Sequence, residues 1–570
     1  MTGGKRWGDV MRGYRQGLLP ASTQEMGHDL VAALAVAAVA IPEQIATARL
    51  AGMPATAGLL VFVVGSLGFY FLGSNRFLSV GADSTIAPIF AASLALLAAS
   101  GTPHYMALCA MFALLVGSIV VAAGIFRMGW IARLLSVPVI TGFLAGIAIH
   151  IVVSQLPALL GIARGQGEFF GTVSALVQNL SHFNPITLAI GISVFAITFV
   201  CEKIDMRLPG ALIAMILASL AIWSMGEVGH GVATLGLVQL GPLAATVPRL
   251  AYPDFANLLP LALIVALVVM IQTAATSRSF PDAVDGVDIN RDLLGVGFGN
   301  ILSGVFGGFP ANGSPPRTAI VAESGGRSRL AGLCAAIVVG TFLAFGLRLL
   351  ATVPLAALAG LLMFVAQRIF RFETIRSVAE RSRAEFVLLF ITATAIVVLP
   401  IAIGVGLGIA LSLLHGVWTI TQTRAVSFEQ VPDTTIWWPA SQKFKGSTRA
   451  GVVVVGFQAP LFFLNAETFR KTLEEAVLGA SQPVTAIILE ASSIVEIDFT
   501  GAQTLIATIH FWNDRGVAFY VTRLESLRAQ QAIEKYDVLP LLGAAQTFHS
   551  VDDAMRHISA SATAMSPLPQ

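Results

Sequence analysis

Apolar runs follow one another from about residue 28 to about residue 422, separated by short polar or Gly- and Pro-broken stretches. A helix crosses a bilayer with about 20 mostly apolar residues. Runs approaching that length cover 29–48, 55–72, 105–126, 137–160, 187–201, 208–223, 258–276, 330–350, 355–365, 386–399 and 401–420. Three further stretches, 81–99, 293–306 and 313–321, are shorter and interrupted by Gly or Pro. Together they predict about fourteen membrane segments, an even number that returns both ends of the chain to one side. After Arg424 the texture changes. GVVVVGFQAPLFFL predicts strand, turn and strand, ETFRKTLEEAVLG an amphipathic helix, and VTAIILEAS a buried strand. TGAQTLIATIHFWNDRG predicts a helix closed by Gly516, VAFYVTR another strand, and 525–536 and 551–559 further helices. Strands alternating with helices of this length predict a small α/β domain. The chain divides accordingly into an N-terminal segment 1–26, a membrane region 27–424, an α/β domain over 440–560 and a disordered tail 561–570.

Composition agrees with this division. The chain is 56% hydrophobic and 12% charged, with mean hydropathy +0.80, whereas a soluble domain carries roughly 25% charged residues. A net charge of +2 identifies no partner, and no basic run of the kind that binds nucleic acid occurs. Cys109, Cys201 and Cys334 sit in apolar surroundings without C-x-x-C spacing, so neither a disulfide framework nor a metal site is expected. The first 20 residues lack the apolar run and cleavage site of a secretory signal, so insertion by the first helices is expected. The α/β domain has no Gly-rich phosphate loop and no cluster of His, Cys or paired carboxylates that indicates catalysis; neither enzyme activity nor a cofactor is expected.

Basic residues orient the membrane region. With the N-terminus cytoplasmic, eighteen Lys and Arg fall in inner loops or at inner ends, against Arg49, Arg164, Arg249 and Arg348 outside. Positive charge collects on the cytoplasmic side, so both termini are expected there, in a cytoplasmic (inner) membrane. A wrong segment count would have scrambled the bias.

Polar groups inside a bilayer are costly, so their positions carry information. Three stretches stand out: Ile41-Pro42-Glu43-Gln44-Ile45-Ala46-Thr47-Ala48-Arg49, Gly81-Ala82-Asp83-Ser84-Thr85-Ile86-Ala87-Pro88, and Gly307 through Thr318. The last two read as starts of half-helices at mid-membrane depth. Asp83 or Ser84 is the expected N-cap of the first; Ser314 caps the second, with Pro315 at N1. Two helix N-termini then point into the membrane with free N–H groups and partial positive charge, which suits an anion. Arg317, in the first turn, adds a full charge. The breaks fall in segments three and ten of fourteen, the spacing of a seven-plus-seven inverted repeat, and such paired interruptions mark transporter binding sites. Segments one and eight echo each other weakly, residues 44–49 against 272–278. The plainer readings are a tolerated kink at each break, hydrogen-bonding glue for Gln44 and Gln272, and a cap only for Asp83.

At these residues the chain resembles the SulP (sulfate permease) family of anion transporters, solute carrier family 26 in animals. The resemblance rests on IPEQIATARLAGMPATAGL in the first span, FLSVGADSTIAP entering the third and GNILSGVFGGFPANGSPPRTAI leading into the tenth. LFFLNAETFRKTL and IVEIDFTGAQTL are similar to the STAS domain that follows the membrane part in that family. The resemblance implies a polytopic α-helical membrane protein of about fourteen segments, arranged as a 7+7 inverted repeat with discontinuous helices 3 and 10, plus a C-terminal cytoplasmic α/β STAS-like domain. It also implies core and gate subdomains, elevator-like alternating access, a homodimer, and a small anion such as sulfate, bicarbonate, chloride or a dicarboxylate. Carried over by position, Gln44, Asp83, Ser84, Thr85, Gln272, Pro316, Arg317 and Thr318 fall around the substrate site. Many bacterial members have a glutamate in segment eight where this chain has Gln272, which puts coupling to Na⁺ or H⁺ through that position in doubt. Segment ten commonly reads Ser-Arg-Thr; here Pro316 precedes Arg317, so two prolines remove two N–H donors from the first turn. Thr500, in the Asp498-Phe499-Thr500-Gly501 turn, matches the phosphorylatable hydroxyl of soluble STAS relatives and is a candidate regulatory site, or simply an N-cap.

The resulting expectation is a secondary transporter of small inorganic or carboxylate anions embedded in the lipid bilayer. A nucleobase transporter of the same architecture, a passive anion channel and a membrane-anchored STAS signalling protein are the alternatives. A segment-eight carboxylate would favour the nucleobase, saturable flux separates transporter from channel, and absence of any flux marks the signalling protein.

Overall fold

A computed structural model describes residues 22–133, 136–162, 169–205, 208–225, 231–236, 252–280, 288–440, 446–542 and 546–564. The chain forms two compact units, Met1–Ser412 and Leu413–Gln570.

The first unit is helical. In chain order it contains α1 (Thr23–Leu50), α2 (Ala55–Leu72), the short strand β1 (Val80–Ala82), α3 (Ala87–Ala95), α4 (Pro103–Ile125) and α5 (Val137–Leu160). Then come α6 (Phe169–Asn179), α7 (Pro185–Ile204), α8 (Gly210–Met225), α9 (Tyr252–Ser279), α10 (Ile289–Val305), β2 (Ala311–Gly313) and α11 (Pro315–Glu323). The series closes with α12 (Leu330–Phe345), α13 (Leu355–Ile369), α14 (Phe372–Arg381), α15 (Arg383–Val398) and α16 (Ile401–Thr421). The boundary between the two units falls inside α16. Among the described residues, seven helices have the length and apolarity to cross a membrane; α8, α12 and the 406–421 part of α16 are shorter apolar helices.

Local chemistry sets the ends. Ser22 caps α1 by accepting from the Glu25 N–H at 3.2 Å, so the first helix begins four residues before the predicted membrane region. Thr102 caps α4 with Pro103 at N1, Asn184 caps α7 with Pro185 at N1, and Gly161, in the left-handed region at φ 72°, stops α5. The predicted 330–350 run is not one helix: α12 stops at Phe345, and Gly346, a poor helix former, separates it from a single turn over Leu347–Leu350.

The order of elements repeats. Two long helices, a strand with a nine-residue helix, then longer helices occur once as α1–α2–β1–α3–α4 and again as α9–α10–β2–α11–α12. The strands meet antiparallel, Val80 opposite Gly313, Gly81 opposite Asn312 and Ala82 opposite Ala311. Each half therefore contributes one broken segment to a common crossing point. α1 and α2 touch backbone to backbone beside it: a Cβ on Gly58 would lie 2.1 Å from the Gln44 carbonyl oxygen. Overpacking of this kind costs about 1–3 kcal/mol. Gly58→Val is expected to lower the thermal midpoint of detergent-purified protein and its monodisperse yield by size-exclusion chromatography; an unchanged midpoint would mean the helices can separate freely.

The second unit is α/β. Its sheet has the order β4–β3–β5–β6–β7–β8, formed by Trp437–Pro439, Ala425–Gln430, Val452–Phe457, Ala486–Glu490, Ala518–Thr522 and Thr547–Phe548. The last four strands are parallel and the first three antiparallel. α17 (Ala466–Leu478), α18 (Phe499–Asn513) and α19 (Leu527–Lys535) make the parallel crossovers, and α20 (Val551–Ala564) closes the chain. Alternation along the strands makes two cores. Ile487, Leu489, Phe519 and Val521 pack with α17–α19, whereas Val454, Ile488 and Tyr520 pack with Val551, Ala554 and Met555 of α20. Three expectations change here. The predicted second strand over LFFL reduces to a single bridge between Leu461 and Ile497. The cap of α18 is Asp498, which accepts from the Gly501 N–H at 2.7 Å, so Thr500 is an exposed first-turn residue and not the cap. The last helix extends to Ala564, and the rest of the predicted tail, 565–570, lies outside the described residues.

Candidate functional site

Two extended strands inside an apolar bundle leave peptide groups to satisfy. Carboxamides do this on both outer edges. Gln44 of α1 donates from Nε2 to the Ala82 carbonyl at 2.9 Å and accepts from the Ala82 N–H at 2.7 Å. Asn300 of α10 treats Ala311 the same way, at 2.9 and 2.8 Å. The ladder continues past its ends: the Ser314 N–H donates to the Ser79 carbonyl at 2.9 Å, and the Ser79 N–H donates to Thr318 Oγ1 at 3.1 Å. Thr318 Oγ1 in turn donates to the Ser314 carbonyl at 2.7 Å. Gln44 and Thr318 are therefore fully buried fasteners of the crossing point.

The half-helices differ at their starts. α11 begins as predicted, with Ser314 before it and Pro315 and Pro316 as its first residues, although Ser314 makes no side-chain cap. Prolines have no N–H, and Thr318 bonds back to Ser314, so the Arg317 amide is the one first-turn donor left to the N-terminus. α3 starts later than predicted. Its cap is Ile86, without a side-chain bond, because Asp83 spends its carboxylate on a preceding turn, accepting from both the Thr85 N–H (2.9 Å) and Thr85 Oγ1. A carboxylate of the chain already sits at the end of α3 where an anion was expected. Thr85 Oγ1 also accepts from Gln272 Nε2 of α9 at 2.9 Å, and Gln272 Oε1 accepts from Asn312 Nδ2 of β2. The donors thus run in one direction, Asn312 to Gln272 to Thr85 to Asp83.

Arg317 lies behind this surface. Its side chain is 0% exposed; Nη1 pairs with Glu43 Oε1 of α1 at 2.8 Å and donates to the Ala82 carbonyl at 3.3 Å. Nε and Nη2 have no hydrogen-bond partner among the described residues. The guanidinium stands 5.8 Å from the Phe62 ring, and a Cβ on Gly81 would come within 3.3 Å of Nη2. A residue larger than glycine at position 81 would therefore crowd the cation.

In front of the half-helices is a cavity of about 310 Å³. Asp83, Ser84, Thr85, Gln272 and Pro316 line it; Gln44, Arg317 and Thr318 do not. Opposite stand Leu144 of α5, Thr198 and Glu202 of α7, and Phe364 and Arg368 of α13. A second cavity of about 250 Å³ lies against α5, α9, α15 and α16 and shares Leu144, Gln272, Pro315 and Arg371 with the first. Glu202 and Arg368 pair at 3.3 Å, both side chains about 30% exposed. Sequence reasoning had not assigned Glu43, Asn300, Asn312, Glu202, Arg368 or Arg371 to a site. A lone acid amid an apolar span was the available signal for Glu43, whereas Arg368 and Arg371 read only as loop cations.

Paired half-helices crossing on a two-stranded ladder, facing a cavity lined by charges of both signs, define a membrane protein of the anion-transporter type. The model of the sulfate permease family matches residues 26–392, and that of the STAS domain matches residues 445–554. A probable sulfate transporter of Mycobacterium tuberculosis is 33% identical over 514 residues, covering 89% of this chain and 92% of its own. The chloroplastic sulfate transporter 4.1 of Arabidopsis thaliana is 24% identical, covering 93% and 79%. Among solved structures, the murine solute carrier 26 family member A9 anion transporter superposes with TM-score 0.84 at 20% identity, over 95% of this chain and 92% of that one. The transmembrane domain of a cyanobacterial bicarbonate transporter superposes with TM-score 0.60 at 25% identity, over 69% and 98%. The chain belongs to the sulfate permease family of membrane anion transporters and carries the family's C-terminal STAS domain.

Proposed function

We propose that this protein is a secondary transporter that moves a small oxyanion or carboxylate, of the sulfate, bicarbonate or dicarboxylate class, across the cytoplasmic membrane by alternating access. The observation that carries the reading is the convergence of α3 and α11 on one cavity, with Arg317 buried behind their starts. The anion sits before the two N-termini, held by the Ser84 and Thr85 region, Gln272 and the Arg317 amide, while the Arg317 guanidinium supplies charge from behind. α1, α3, α9 and α11 move as the carrying core against α5, α7, α13 and α15. Both termini are cytoplasmic, and the working assembly is a homodimer, as the family resemblance implies. Thr500, exposed on the STAS domain, is a site where phosphorylation modulates transport.

The cavity argues for symport. Glu43 and Asp83 are both negative when ionised, and Arg317 balances one of them. Across the cavity Glu202 is paired with Arg368 and Arg371 adds one positive charge, so the acid left without a cationic partner among the described residues is Asp83 beside the half-helices. An anion entering next to it is favoured by a cation, H⁺ or Na⁺, that offsets this carboxylate. Segment eight carries no acid at Gln272, but Asp83 lies one hydroxyl away from it. Asp83, in the turn before α3, is thus a carboxylate close enough to Gln272 to take the coupling role.

Uptake of labelled sulfate, bicarbonate and fumarate into proteoliposomes of the purified chain, with and without a pH or Na⁺ gradient, tests this. Saturable uptake of one anion, accelerated by one gradient and showing counterflow, is the expected result. Flux that does not saturate would make the protein a channel, and no flux of any of the three from folded protein would remove this substrate class.

A further inference from the structure

The STAS unit has a hollow of its own, about 450 Å³, on the face of the sheet covered by α20. Its walls come from Gln430 of β3, Trp437 of β4, the 447–450 turn, and one side of α20. Donors dominate it. Trp437 is only 9% exposed, and its enclosed indole N–H has no acceptor among the described residues. Buried N–H groups are almost always satisfied, so a lone one beside a hollow is a place where an added acceptor would be favoured. Arg449 is held at the rim by the Met555 carbonyl (3.4 Å) and Ser559 Oγ, two neutral acceptors, and has no carboxylate partner among the described residues. The hydroxyls of Ser447 and Thr448 also line the hollow.

Acceptors on the walls are few and already engaged. Asp552 faces Arg556 at 3.2 Å, and Arg556 is further held by Asp553 at 2.6 Å. The Gln430 amide donates to the Thr434 carbonyl at 2.8 Å. The hollow therefore presents an exposed guanidinium without a direct carboxylate partner among the described residues, a buried indole N–H and two exposed hydroxyls, a donor set matched by a tetrahedral oxyanion.

We propose that this hollow binds a tetrahedral oxyanion, with Arg449 supplying the charge and Trp437, Ser447 and Thr448 the neutral donors. Inorganic sulfate or phosphate and the phosphate of a small phosphorylated molecule share that chemistry. The volume leaves room for an organic body against Met555 and Ala450. The site lies wholly within Leu413–Gln570 and does not depend on what the membrane unit transports.

Hydrogen–deuterium exchange of the full chain in detergent tests this, because it separates the STAS unit from the membrane cavity by peptide. The probes are sodium sulfate, sodium phosphate and glucose 6-phosphate, each against sodium chloride of equal ionic strength. Slower exchange in peptides spanning 446–452 and 551–559 is expected with at least one probe. Protection by sulfate or phosphate identifies a free oxyanion as sufficient, and protection by glucose 6-phosphate alone identifies a phosphorylated ligand; both support the site. Arg449→Gln and Trp437→Phe should each raise the half-saturating concentration about tenfold, the loss of one charge-assisted or buried hydrogen bond. Unchanged exchange in β6 and β7 would show that the variants remain folded. No protection by any probe, equal protection in chloride, or full protection retained by both variants would overturn the proposal.

Discussion

Arg317→Ala is expected to lose transport and much of the fold's stability together. The guanidinium is fully enclosed and its one ion-pair partner among the described residues is Glu43, itself only 13% exposed. Removing one member of a buried ion pair leaves the other uncompensated and costs about 3–5 kcal/mol. Loss of uptake in this variant alone would therefore not identify an anion ligand. Removing both charges separates the two effects. Arg317→Met combined with Glu43→Gln replaces the pair with neutral side chains of similar size, so most of the stability should return. Transport should not return, because the positive charge behind the half-helices is gone. The measurements are thermal unfolding in detergent and labelled-anion uptake for both single variants and the double. A double variant that transports normally would make the pair a strut and nothing more.

How much of this was legible in the sequence follows from what each signal measures. Hydropathy gave the positions of the breaks, because a half-helix is a span too short to cross, and α3 and α11 lie where the interrupted stretches predicted them. The two-stranded ladder was not legible. Val80–Ala82 and Ala311–Gly313 are too short for any alternation to register, and each is a strand only because the other half of the chain lies beside it. Direction was also hidden. Neighbours in the chain part company: Pro316 lines the cavity with Asp83, Ser84 and Thr85, while Arg317 and Thr318, like Gln44, point into the packing. Gln44 looks like a ligand for the reason that makes it a fastener: a carboxamide presents a donor and an acceptor side by side, which matches the edge of a strand as well as it matches a substrate. In the STAS domain the long crossover helices and central strands were readable from their periods. β4 and β8, of three and two residues, were not.

Asp83→Asn is expected to tighten anion binding and to weaken its dependence on the driving cation. Asp83 lies in the turn before α3 and lines the cavity, so its charge opposes any anion held there. Two unit charges about 4–6 Å apart interact by roughly 3–4 kcal/mol at the effective dielectric of a partly wet site. Solvent in the cavity reduces that, and a gain of about tenfold or more in apparent affinity remains. Asparagine keeps an oxygen to accept from Thr85, so the chain of donors from Asn312 through Gln272 has somewhere to end. The change is thus one of charge with little change of shape. In proteoliposomes the variant should exchange anion for anion with a lower half-saturating concentration, while accumulation driven by a pH or Na⁺ gradient falls towards the level without a gradient. In the proposed symport the wild-type carboxylate is neutralised, by a proton or by a bound Na⁺, as an anion enters the cavity; the amide needs neither. Unchanged affinity together with unchanged coupling would move the coupling group to Glu43, the other acid on this wall. Weaker affinity would mean that Asp83 holds a cation which the anion needs as its partner, and raising Na⁺ should then stimulate uptake in the wild type but not in the variant.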